Sequence, residues 1–580
     1  MLSTQGKKYN REAPLTEYPT PQFERDSYFS LNGVWDFSLD QNPKNHDSYP
    51  YEIVVPFAVE SELSGVEQRV KPGDIMHYRK EFEVPEGFVK SRVLIHFEAV
   101  DQVCDVYLNG VLIAHHEGGY LPFTADCMEL RPGKNELLVD VTDDTSSPLF
   151  PRGKQSLKPK GIWYTATSGI WGSVWLESVP NQVIQSLRID PLFDEKKVRV
   201  KVQFEGKVVT SKVTAFYKGR EVASGSLDAS AEVTLSLIGN FKEWSPENPQ
   251  LYDLAVEVNS DRIKSYFAMR KFSKVMHNGH LVFGLNNKPY FLTGVLDQGY
   301  YSDGGLTPPT DEAMIQDLQM LKDMGFNMVR KHIKIEPMRW YHHCDRLGLI
   351  VIQDFVNLGD PVRFFLFALA PFFKLKIDDT QQQKLLGVGN LAARERFESE
   401  MKGALARLYN VPSIAVWTIF NEGWGQFDSV RITSSLRLAD SSRLIDSASG
   451  WFDQGAGDFD SRHIYMRKIN VEGDGQRILS LSECGAYSLA IEGHCAAKNG
   501  TFYKRFHSQE KLWKAISSLY EKEILPAKDH GLSVVVYTQL SDVEGEINGL
   551  VTYDRRLRKV DAAKMRRLNE KLFFQEVHHD

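Results

Sequence analysis

Two glutamates stand where carboxylates can do acid–base work. Glu422 lies in FNEGWG directly after the apolar run IAVWTIF, and Glu483 lies in LSECG directly after ILSL. An apolar run ending in a polar residue reads as a buried strand that delivers that residue to a pocket rim. Two carboxylates facing each other across a pocket suit glycoside hydrolysis: one protonates the leaving oxygen, and the other attacks the anomeric carbon or activates water. Proximity and burial should drive their pKa values apart, so that one stays protonated near neutral pH. Cys484 adjoins Glu483 but has no base at a motif spacing that would make it a nucleophile. HExxH and CxxC spacings are absent, and neither cofactor nor metal is expected.

The elements around these glutamates follow from the change of period after residue 273, where strand-like runs alternate with helix-like runs. YFLTGVL ends before Asp297, NMVRKHI carries Arg330 and His332, and LIVIQDF ends near Gln353 and Asp354. Asn421 and Glu422 close the fourth run, and RLIDSAS is the fifth. RHIYM brings His463 and Tyr465, Glu483 ends the seventh, and VVVYTQLSD reaches Gln539 and Asp542. Eight such strands fit a (β/α)8 TIM barrel over 273–580, with its active site at the C-terminal strand ends. Strands four and seven then lie across the mouth from one another. A doubly wound sheet would need a Gly-rich phosphate turn after its first strand, and GVLDQGYYSDGG lacks that spacing. Helical spacing of Phe397, Met401, Leu405 and Leu408 predicts a helix over 391–409. His342 and His343 fall in an earlier helix and are expected to face solvent or pack against a neighbour. PVRFFLFALAPFF (361–373) is too short to span a bilayer and reads as packing or pocket lining.

Upstream the pattern is all β. Residues 1–180 alternate short strands with turn signals, including Asn109-Gly110 between CDVYL and VLIAH, and predict a jelly-roll β-sandwich. Residues 181–272 hold about five further strands and predict an immunoglobulin-like β-sandwich. The whole is a multidomain β plus α/β chain, within the about three to five domains that 580 residues allow. Apolar residues at 42% exclude a disordered chain, and a net charge of −7 gives no broad footprint for nucleic acid or an anionic membrane. The sparse set of five cysteines suggests a reducing compartment, and the N-terminus shows no apolar signal stretch, so a cytoplasmic location is expected.

At these residues the chain resembles glycoside hydrolase family 2, which contains β-galactosidases, β-glucuronidases and β-mannosidases. SLNGVWDF, VDQVCDVYLNG and SGIWGSVWLE look like its sugar-binding jelly roll, and IFNEGWG like its acid/base segment. The resemblance implies Glu422 as acid/base, Glu483 as nucleophile, Asn421 as holder of the sugar 2-hydroxyl and Tyr465 as partner of the nucleophile. Arg330, His332, Asp297, Asp354, His463 and Asp542 become candidates for sugar hydroxyl contacts, and Trp424 and Trp451 for stacking on the ring. The implied activity is a retaining exo-β-glycosidase with a carbohydrate substrate, β-galactosidase-like first. β-Glucuronidase, glucosidase, mannosidase, galacturonidase and arabinosidase remain alternatives, as do a non-catalytic carbohydrate-binding protein and a transglycosidase. Two departures bear on the sugar. Where β-glucuronidases grip the uronic carboxylate with Asn-x-Lys, this chain reads EGEINGL, with Glu546 and Ile547 in that place. Where β-galactosidases carry an acidic residue before the SGI segment, Trp163 or Tyr164 stands here. The resemblance also leaves a homo-oligomer open.

Overall fold

The computed structural model describes residues 1–43, 46–357, 377–497 and 503–575, so the apolar segment at 361–373 lies outside the described residues. In the first domain strands alternate inward and outward positions, as VCDVYL at Val103–Leu108 does without a break. A six-stranded and a four-stranded antiparallel sheet stack on each other and enclose Trp35, Phe37, Tyr78, Phe97 and Leu176. Asn109 and Gly110, at φ 52° and 85°, turn the hairpin predicted there, because both central residues of a primed turn need positive φ. Sheets of three and four strands follow, closing on Ile189, Val200, Val256 and Phe267 as the immunoglobulin-like sandwich.

Arg25 joins the two sandwiches. Its guanidinium donates to Glu177 of the first at 2.8 Å, and to Asp261 and the Ile184 carbonyl of the second at 3.0 and 2.7 Å. Burial alone would push the Glu177 carboxyl up, but the His96 imidazole and Arg25 outweigh it and hold it at about 2.

The barrel strands are β1 (Leu292–Asp297), β2 (Met328–Lys331), β3 (Ile350–Asp354), β4 (Ile414–Asn421), β5 (Leu444–Ser449), β6 (Phe459–Ile464), β7 (Ile478–Gly485) and β8 (Leu532–Thr538). They hydrogen-bond in the order β5-β4-β3-β2-β1-β8-β7-β6, every pair parallel. β4 and β8 are buried at every position, which is why both read as continuous apolar runs rather than alternating ones. The ladder leaves β5 and β6 unjoined, and other bonds close that seam. The Asp458 N–H donates to the Ile445 carbonyl at 2.7 Å, the Asp458 carboxylate accepts from the Ile445 N–H at 2.9 Å, and Ser461 donates to Asp446 at 2.7 Å.

Around the barrel, Asn390 caps the helix Leu391–Leu408, whose inward stripe is the predicted Phe397, Met401, Leu405 and Leu408. His343 is buried against Asp311 at 2.9 Å, and the His342 ring meets Tyr266 at 5.0 Å, so both histidines pack rather than face water. All five cysteines are free thiols. Among the described residues no helix is long and apolar enough to cross a membrane.

The first sandwich leans over the barrel mouth. Thr307 beyond β1 donates to the Trp171 carbonyl at 2.7 Å, and the Thr165 N–H donates to Glu544 at 2.9 Å. Arg25→Met would leave two buried carboxylates without their cation, so we expect a loss of about 3–5 kcal/mol in denaturant unfolding. An unchanged midpoint would show that the sandwiches are held by other contacts.

Candidate active site

β4 ends at Asn421, and the chain then turns sharply: Glu422, Gly423 and Gly425 have φ of 53°, 77° and 65°. The glycines take that region freely, whereas Glu422 is held there at a cost of about 1–3 kcal/mol. Its N–H donates to the Ser449 carbonyl of β5 at 2.8 Å, which fixes the turn and leaves the carboxylate at the mouth, 12% exposed. Glu483 comes from β7 and is buried. Tyr465, just past β6, donates to it and sits 2.9 Å from Thr538 of β8. A Glu422 oxygen, a His463 nitrogen and a Glu483 oxygen all lie within 4.8 Å of one another. His463 Nδ1 is 2.8 Å from Glu422, and its Nε2 is 3.0 Å from the Ser449 hydroxyl.

Arg330 lies beneath this pair. Its guanidinium donates to Asp354 at 3.0 Å, Asn421 at 2.9 Å, the Ser482 carbonyl at 3.1 Å and Glu483 at 3.3 Å. Asp354 in turn takes His332 Nδ1 at 2.8 Å. Burial, followed by the nearby Lys154 ammonium, pushes the His332 imidazole down to about 4. It is therefore neutral at pH 7, with its Nδ1 proton donated to Asp354 and Nε2 left as an acceptor. Burial would raise the Glu483 carboxyl, but the His463 ring, Arg330 and the Tyr465 hydroxyl together hold it well below the ordinary carboxylate range. Glu483 is thus an ionised, oriented carboxylate, and Glu422 faces it from the open side.

Of the residues singled out from sequence, Glu422, Glu483, Asn421, Tyr465, Arg330, His332, His463 and Asp354 form one connected network. Trp451 borders it, its ring 6.3 Å from that of His463. Trp424 stacks at 5.2 Å on Trp163 of the first sandwich. Asp297 and Asp542 are drawn elsewhere. Asp297 pairs with Lys331 at 2.6 Å in a buried chain that continues to Glu336, and Asp542 pairs with Lys559 at 2.6 Å and pins the Gly549 N–H. Neither carboxylate bonds to the two glutamates or to Arg330 among the described residues. Sequence reasoning missed Lys154, which sits in an irregular stretch of the first sandwich where a lysine reads as solvated. Its ammonium stands 3.9 Å from Glu546, which also accepts from Tyr164. Glu546 is thus a paired carboxylate rather than a lone one. The Ser449, Ser461 and Ser482 hydroxyls at the seam carried no signal either, since serine in a strand is unremarkable by type.

A cation could draw one ligand atom from each of Glu422, His463 and Glu483, but both His463 nitrogens are already engaged. A second group of metal-ligating type, His46, His77 and Asp140, lies in the first sandwich.

Comparison with known proteins places the three domains in one family. The family model described as "Glycosyl hydrolases family 2, sugar binding domain" matches residues 66–180, "Glycosyl hydrolases family 2" matches 182–270, and "Glycosyl hydrolases family 2, TIM barrel domain" matches 277–472. A β-galactosidase of Thermoanaerobacter pseudethanolicus is 27% identical over 49% of this chain and 40% of its own length. A β-glucuronidase of Streptococcus agalactiae is 23% identical over 70% of this chain and 68% of its own. The first curated relatives are thus spanned over only about two fifths of their length. Among solved structures, a β-glucuronidase from an uncultured Clostridium sp. superposes with a TM-score of 0.76 at 19% identity, covering 95% of this chain and 99% of that one.

The charge of Glu483 depends on Arg330. Arg330→Met should raise the Glu483 carboxyl toward or above the usual carboxylate range, read from carboxyl carbon shifts in a pH titration. An unmoved titration would assign the effect to the other neighbours, the His463 ring and the Tyr465 hydroxyl, instead.

Proposed function

The chain belongs to glycoside hydrolase family 2, and from that premise we propose that it is a retaining exo-β-glycosidase acting on terminal β-linked sugars. The observation that carries the mechanism is the approach of a Glu422 oxygen to within 4.8 Å of a Glu483 oxygen. An approach this close favours the about 5–5.5 Å carboxyl separation of retaining enzymes over the about 6.5–9.5 Å of inverting ones. Glu483, ionised and oriented by Tyr465, attacks the anomeric carbon while Glu422 protonates the glycosidic oxygen. A covalent glycosyl-enzyme forms. Glu422 then takes a proton from water, which displaces Glu483 and releases the sugar with its configuration retained. The Asn421 carbonyl oxygen accepts from Arg330, which turns the amide NH2 toward the substrate as a donor for the sugar 2-hydroxyl. Trp424 and Trp451 supply apolar faces for the ring.

For the sugar itself a β-galactoside is the first reading. It is supported by the β-galactosidase relatives and by Glu546 in the place where the uronate grip of β-glucuronidases would stand. β-Glucuronidases stand among the similar proteins as well, so a glucuronide belongs beside galactoside, glucoside and mannoside in any substrate panel.

Proton NMR of fresh product should show the β-anomer first, with the α-anomer rising only by mutarotation. The α-anomer appearing first would overturn the retaining mechanism. Glu422→Gln should cost about 10²–10⁴-fold in kcat on a nitrophenyl glycoside, and Glu483→Gln should remove turnover while sugar binding persists. Tyr465→Phe removes a bond that favours the charged form of Glu483, so its pKa should rise and the acid limb of the kcat/KM profile should move to higher pH. A limb that stays in place would remove Tyr465 from that role.

A further inference from the structure

Lys154 reaches over the barrel mouth from the first sandwich, its side chain 8% exposed. Its ammonium lies 5.9 Å from the Trp424 ring, two residues beyond Glu422, and 5.7 Å from the Tyr164 ring. Its charge is felt by His332 beside Asp354. Glu546, more deeply buried at 2% exposure, feels Glu483 and is felt by Tyr503, whose ring is 5.4 Å from that of Tyr465. Both groups therefore border the space in front of the two glutamates. They do not satisfy each other. The Lys154 ammonium makes no hydrogen bond among the described residues, and its 3.9 Å to Glu546 Oε2 exceeds the about 2.7–3.2 Å of a direct bond. A buried ammonium with unused donors is costly, and a ligand that accepts from it relieves that cost.

The gap has a shape. Two hydrogen bonds of about 2.8 Å meeting near a right angle at one oxygen span the 3.9 Å between these atoms. A hydroxyl can do this, accepting from Lys154 and donating to Glu546. Glu546 Oε2 already accepts from Tyr164 and keeps a second lone pair for it. A carboxylate has no proton to give Glu546. It would also bring a second negative charge to a Lys154 ammonium that already faces the Glu546 carboxylate. We propose that the Lys154–Glu546 pair is the subsite that reads one hydroxyl of the terminal sugar, and that it selects neutral glycosides over uronides. This rests on the glycosidase reading above and makes Lys154, from the first sandwich, a specificity-determining residue of the barrel's reaction.

The test is kcat/KM on nitrophenyl β-galactoside, β-glucoside, their 4-deoxy and 6-deoxy forms, β-glucuronide and β-galacturonide. Wild type should favour a neutral sugar over both uronides, and one deoxy form should lose at least about tenfold. Lys154→Met should lose about as much on the parent sugar, chiefly through KM, and close the gap to that deoxy form. Glu546→Gln leaves Lys154 uncompensated and should raise the ratio of uronide to neutral turnover by about tenfold or more. It also carries the test should Lys154→Met fail to fold. Active wild type that prefers a uronide, or variants that keep the deoxy gap and the uronide ratio, would overturn the subsite alone. Wild type inactive on every glycoside would instead sink the glycosidase reading and the subsite with it.

Discussion

Arg330 enters the barrel from β2 and bonds to β3 through Asp354, to β4 through Asn421 and to β7 through the Ser482 carbonyl and Glu483. A guanidinium at 1% exposure is tolerable only because every face of it meets an acceptor. The consequence runs both ways. The four strands cannot slip in register without orphaning a buried charge, and Asp354 and Glu483 keep their ionisation because the Arg330 guanidinium stays between them. Positioning and electrostatics of the site are thus the same interaction seen from two sides.

The rest of the site hangs on that centre. Asp354 orients His332, and the Ser449 hydroxyl holds His463 against Glu422 across the seam where β5 and β6 lack a ladder. The seam is closed by serine, aspartate and histidine side chains and by the backbone around Asp458, so the same polar groups that complete the barrel also furnish its floor. At the open end the first sandwich takes part directly. Trp163 covers Trp424, Tyr164 bonds to Glu546, and Lys154 stands between them. The sandwich and the barrel therefore meet at the mouth through Trp163–Trp424, Tyr164–Glu546 and Lys154–Glu546, so a domain that carries neither glutamate forms part of the wall beside them.

Much of this was legible from residue order. β4 and β8 announced themselves as apolar runs because both faces are covered, and Glu422 and Glu483 because a charge directly after such a run needs a pocket or a partner. The hairpin at Asn109-Gly110 was legible because few pairs accept positive φ twice. Asp297 and Asp542 show where that logic stops: each does end a barrel strand or its loop, but Lys331 and Lys559 claim their carboxylates. No strand-end rule reveals which lysine, distant in sequence, arrives nearby.

What the sequence determined by itself was therefore the list of local states and the two carboxylates, since strand burial, turn chemistry and strand-end placement are set by neighbours in the chain. What only the tertiary structure decided was the company each charge keeps. Lys154 beside Glu546 and Arg330 among Asp354, Asn421 and Glu483 join residues far apart in sequence. A buried charge takes its pKa, orientation and role from the groups within a few ångströms, and only the folded chain sets those distances.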